Sequence, residues 1–115
     1  NREAILSGKV KLQLFSISEC PQFEQRLDKI LDVNSFQFWP DPVATLTRLR
    51  GFMNHSGTIV LVHQPRKPGA TDNDAMNAGQ NFCMQLEKAG FTNLRIEMKM
   101  MKPVSTIAAV GTNPD

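Results

Sequence analysis

The residues with the clearest chemical potential in this 115-residue chain follow its most apolar run, "TIVLV" (58–62), and are His63, Gln64, Arg66 and Lys67. An imidazole titrates near neutral pH and acts as a general base when it reaches a substrate proton. His63 is thus the candidate catalytic residue, and a structural histidine at a strand end is the plainer alternative. Arg66 and Lys67 could attract an acidic group, or simply form a solvated basic loop. Asp32 interrupts the apolar run "KILDV" (29–33), where a carboxylate needs either an exposed position or a buried partner. Cys20 and Cys83 lie outside any metal-ligand spacing. They read as small hydrophobes and suit a reduced, cytoplasmic setting.

The elements that must position these groups follow from composition and periodicity. With 41% hydrophobic and 21% charged residues, the chain reads as one soluble domain spanning 1–115. A net charge of +2 with scattered Lys and Arg argues against a nucleic-acid partner. No run reaches the length of a membrane span. Residues 1–6 resemble the last turns of a helix closed by Ser7-Gly8, and "VKLQLF" (10–15) alternates as a strand with one wet face. "KILDV" is a short strand. After Pro40-Asp41-Pro42, Val43, Leu46, Leu49 and Met53 recur at helical spacing, predicting a helix over about 42–54. Asp41 suits its N-terminal cap.

"HSG" (55–57) reads as a turn, and "TIVLV" as a central strand apolar on both faces. A loop over 64–71 leads to a helix over 72–89 that opens with Asp72 and Asp74 and closes at Gly90. Strands at 93–100 and 106–111 flank a turn at Met101-Lys102-Pro103. Met98, Met100 and Met101 fill the core or form a flexible apolar surface. Strands alternating with helices imply an α/β fold with a mostly parallel sheet, and the short last connection implies a C-terminal antiparallel hairpin.

The ordered set "LDKILDVNSFQFWPDPVATLTRLRGFMNHSGTIVLVHQP" followed by "LEKAGFTNLRIE" resembles the C-terminal half of class I S-adenosylmethionine-dependent methyltransferases, in their type 11-like, small-molecule branch. The likeness runs from about residue 8 to 112. It implies a partial Rossmann-like methyltransferase sheet, S-adenosylmethionine as cofactor and a small-molecule acceptor. In such a sheet the carboxyl end of the 29–33 strand lies beside the methyl donor. Asn34 corresponds to the position bordering the cofactor, and Phe36, Phe38 and Trp39 would line its rim. Alternatively, Phe38 and Trp39 plug the junction between strand and helix. Ser16 stands where the family usually carries an acid for the adenine amine, with Glu19 three residues on, and His63 would face the acceptor.

The sequence contains no Gly-x-Gly run. The family's first strand, its glycine-rich turn and its ribose-binding acid are therefore expected before residue 1, and the cofactor site is expected to be completed by those residues or by a partner. A reading of another class stays open: a non-catalytic, truncated methyltransferase-like domain that only self-associates or binds a partner. In the family the helices over 42–54 and 72–89 share one sheet face. The other face, with Val60, Val62 and Ile30 or Leu31, is then expected in a homodimer contact or against the missing N-terminal half.

Overall fold

The computed structural model describes residues 26–66, 68–100 and 104–115. The helix end expected at 1–6, the strand expected at 10–15, Ser16 and the turn at 101–103 lie outside the described residues. Strand β1 (Leu27–Val33) leads through a single 3-10 turn (Phe36–Phe38) to helix α1 (Pro42–Arg50) and strand β2 (Met53–His63). Helix α2 (Asp72–Lys88), β3 (Thr92–Lys99) and β4 (Thr106–Thr112) complete the order. The sheet order is β1-β2-β4-β3. β1 pairs with β2 in parallel, and β4 pairs antiparallel with both β2 and β3. Of the four described strands, β1, β2 and β3 therefore point the same way and β4 opposes them. The expected mixture of parallel direction and terminal hairpin is present, because helical crossovers return the chain in parallel whereas a short turn reverses it.

Each helix starts where its chemistry allows. The Asp41 carboxylate accepts the Ala44 backbone N–H at 3.4 Å, and Pro42, which lacks an N–H, occupies the first turn. Thr71 and Asp74 form a reciprocal capping box at the start of α2. Asp72, in that same turn, accepts the Ser105 backbone N–H at 2.7 Å. That bond and one to the Ser105 side chain hold the Asp72 carboxyl below its ordinary value.

One boundary differs from the periodicity. Met53 continues the apolar spacing of α1, yet the helix stops at Arg50 and Met53 opens β2, fully buried. The "HSG" turn becomes an irregularity within β2, where the β1 register shifts between Leu27–Met53 and Lys29–Thr58. Buried Asn113 holds it in place. Its side chain donates to the Met53 and Asn54 carbonyls at 3.2 and 3.1 Å, and its backbone exchanges bonds with Ser56 and Gly57. A partner 60 positions away in sequence thus outweighs a local helical pattern.

Both helices pack on one face. Leu46 and Leu49 of α1 share a core with Ala75, Phe82 and Leu86 of α2 and with Ile59, Leu61, Ile107 and Ala109 of the sheet. On the opposite face, Leu31 pairs with Val60 and Val33 with Val62. Leu31 is 67% exposed and Val33 54% exposed. Of the two β1 residues expected there, Leu31 shares the open face, whereas Ile30 packs against the core. Among the described residues no helix is long and apolar enough to cross a membrane, and no cluster of His, Cys, Asp and Glu could hold a metal.

Candidate functional site

The carboxyl ends of β1 and β2 lie side by side, since parallel pairing runs through Val33 and Val62. Asn34 leaves β1 with φ 56, a left-handed conformation that asparagine tolerates better than most residues. Its N–H donates to the Val62 carbonyl at 2.9 Å. Its side-chain oxygen accepts the Gln64 backbone N–H, also at 2.9 Å. Asn34 therefore ties the two strand ends together, and the chain turns directly into the aromatic segment. Gln64 is fixed in turn through its side chain, which donates to the Val104 carbonyl at 2.8 Å.

The aromatics divide sharply. Phe36 and Trp39 are buried and meet edge to face at 4.8 Å, and Phe36 meets Phe82 of α2 at 4.7 Å. Offset and edge-on contacts of this kind add to the stabilisation from area burial. Phe38 is 77% exposed. The residues that plug the strand–helix junction are thus Phe36 and Trp39, not Phe38, because a 3-10 turn sends adjacent residues in different directions.

Phe82 brings the other half of the site into contact, its ring 5.6 Å from that of His63. His63 lies two positions beyond the buried Leu61 and so projects toward the helices. Burial lowers its pKa, favouring the neutral imidazole. Its Nδ1 atom is buried and has no hydrogen-bond partner among the described residues. The ring also lines an open cleft with Pro65, Arg66 and Asp74.

The question raised by Asp32 has a two-part answer. One carboxylate oxygen takes the Ser35 hydroxyl, and the other is buried without a partner among the described residues. Asp32 is in register with Leu61 and therefore lies on the same sheet face as His63. A buried polar atom left unsatisfied costs about 1–3 kcal/mol, so one at each of two adjacent strand ends marks a place that folding alone does not explain.

The structure thus gathers Asn34, Phe36 and His63 at one end of the sheet. Phe82 and Asp74 join them from α2 and carry no sequence signal of their own, being an ordinary stripe residue and a helix cap. Ser16 lies outside the described residues.

No protein-family profile matches the chain. Its sequence is 25% identical, over 105 residues, to the uncharacterized methyltransferase YdaC of Bacillus subtilis. That match covers 91% of this chain but spans only 58% of the relative's length. Among solved structures, a SAM-dependent methyltransferase from Thermotoga maritima superposes with a TM-score of 0.67 at 14% identity, covering 97% of this chain and 69% of that one. The N-methyltransferase NodS from Bradyrhizobium japonicum, solved with S-adenosyl-L-homocysteine, gives 0.66 at 12% identity, covering 99% of this chain and 61% of its own. The resemblance read from the ordered motifs therefore holds in three dimensions: this chain carries part of the class I S-adenosylmethionine-dependent methyltransferase fold.

Proposed function

We propose that the chain is the acceptor-side part of an S-adenosylmethionine-dependent methyltransferase acting on a small molecule, within a single domain of a cytoplasmic protein. The observation that carries this reading is the strand end itself. Asn34 links β1 to β2 there, beside a buried His63 nitrogen that has no partner among the described residues, at the place where open α/β sheets take their ligands. Free Cys83 agrees with a reducing compartment. The described residues fit the methyl donor as one wall: Asn34 at the edge, with buried Phe36 behind it. The donor supplies an activated methyl group when bound. Ser16 and residues beyond the described chain, from the same polypeptide or a partner, would complete the pocket. His63 would stand on the acceptor side as general base.

Titration with S-adenosyl-L-homocysteine, followed by backbone amide shifts, tests this reading. Weak binding or none is expected, since one wall contributes only part of the recognition, and any shift changes should centre on Asn34, Phe36 and Gln64. Changes confined to other parts of the sheet would overturn it. Micromolar binding by the isolated chain would mean that the site is completed some other way. In the completed enzyme, replacing His63 with Ala should lower turnover far more than donor affinity.

A second reading rests on a different observation, the exposed Leu31 and Val33 on the face opposite the helices. In that reading the chain is a non-catalytic domain that self-associates through this face or docks it against another polypeptide. Light scattering distinguishes a dimer from a monomer, and donor binding distinguishes this reading from the first.

A further inference from the structure

His63, Pro65, Arg66 and Asp74 line one open cleft of about 340 Å³, a size that suits a small organic ligand. These four residues differ in what they can still bind. Pro65 is buried and gives the cleft an apolar wall. Asp74 is engaged at the start of α2, where its carboxylate accepts the Thr71 backbone N–H at 2.9 Å within the capping box. Burial favours the neutral form of His63, so its ring adds no charge. Its Nδ1 atom is buried, so a ligand in the cleft meets the ring from the Nε2 side. Arg66 is exposed. Ion pairs among the described residues join Arg50 to Asp115 and Arg95 to Glu97, and Arg66 belongs to neither. A guanidinium carries five N–H donors in a rigid planar fork, which meets a carboxylate through two parallel hydrogen bonds.

We propose that this cleft binds a small organic acid, its carboxylate held by Arg66 and its apolar body lying along Pro65 and the His63 ring. This proposal rests on the methyltransferase reading above and names its substrate class. Arg66 follows His63 by three positions, in the loop after β2. The carboxylate therefore anchors one end of the acceptor, and the other end, which carries the group to be methylated, lies at the ring. Such an anchor orients the acceptor without reacting itself. A cationic acceptor fits the cleft less well. It would share Asp74 with the Thr71 N–H and would sit in the same cleft as the Arg66 charge. A neutral acceptor would forgo the charge-assisted bonds that the fork offers.

The test needs no methyl donor. Three probes of one shape and different charge are added to the chain: benzoate, benzamide and benzamidinium. Ring resonances of His63 are followed by NMR, with His55, exposed toward the other end of β2, as the internal control. Benzoate should shift the His63 signals saturably in the millimolar range and leave those of His55 in place, and the other two probes should do neither. Arg66→Gln, which removes the charge from an exposed loop position, should weaken the benzoate effect by about tenfold or more. Equal responses to benzoate and benzamide, a stronger response to benzamidinium, an unresponsive His63, or an unchanged benzoate response in Arg66→Gln would each overturn the acid site. The comparison of the three probes on the wild-type chain stands even if the variant folds poorly. Shift changes from S-adenosyl-L-homocysteine confined to other parts of the sheet would count against the methyltransferase reading, whereas indifference to benzoate alone would count against the acid site.

Discussion

The Asn34 side-chain oxygen accepts the Gln64 backbone N–H at 2.9 Å across the ends of two parallel strands. Asn34 does this from a left-handed backbone conformation, φ 56. Asn34→Ala removes the acceptor and puts into the left-handed region a residue that tolerates it less well than asparagine does. The loss should be about 1–3 kcal/mol. Asn34→Gly also loses the bond but accepts the backbone geometry, so it should be the milder change. Urea unfolding ranks the two variants, and a glycine variant less stable than the alanine variant would contradict the assignment.

Arg50 joins three parts of the chain at the opposite end of the sheet. Its Nε donates to the Ala89 carbonyl at 2.8 Å, and its guanidinium also meets Asn113 and Asp115. Gly90, with φ 97, lies against it so closely that an added β-carbon would sit 2.8 Å from Arg50 Nε. Gly90→Ala should destabilise by about 1–3 kcal/mol through backbone strain alone, and further by displacing the arginine. A double-mutant cycle with Arg50→Ala should therefore be non-additive by about 0.5 kcal/mol or more. Strict additivity would mean that the guanidinium moves aside freely.

Burial lowers the His63 pKa below the ordinary 6.5. The unfolded chain then binds a proton at a higher pH than the folded chain does, so stability falls with acidification. The loss begins as pH drops through the ordinary histidine value, and it levels off below the folded value. Urea midpoints of wild type and His63→Asn, compared between neutral and mildly acidic pH, should diverge in that window with wild type losing more. All other titrating groups are common to both proteins and cancel. Parallel pH profiles would show that His63 gains no such penalty on folding.

The open sheet face should respond to charge. Leu31 and Val33 stand in register with Val60 and Val62 on that face, and their exposure forgoes roughly 1.5–3 kcal/mol for each large side chain. If the chain self-associates through this face, Leu31→Asp and Val33→Asp should convert the dimer to monomer while leaving the helix-side core intact. Light scattering with circular dichroism measures both. A dimer that survives both substitutions places its contact elsewhere.

Much of the architecture was legible because it is written in short-range patterns. The Asp41-Pro42 cap, the acidic opening of α2, the double-sided apolarity of 58–62 and the final hairpin each depend on residues a few positions apart. The order of those elements was enough to bring out the methyltransferase resemblance, and His63, Asn34 and Phe36 could be singled out from it. Asp32 was conspicuous for the same local reason, a carboxylate within an apolar run.

The tertiary structure alone decided what these residues meet. Met53 follows the helical period of α1, yet Asn113 captures it in β2 from 60 positions away. Phe36 turns inward because Phe82, far along the chain, supplies the ring it packs against, Trp39 packs on Phe36 in turn, and Phe38 points outward. Asp32 and His63 share a sheet face because of the parallel β1–β2 register. A slip of one residue would send either side chain to the other face. Periodicity within a segment specifies which of its faces is apolar, but only pairing between segments specifies which polar atoms end up buried together. That is why the elements were readable one by one while the site emerged only from their register.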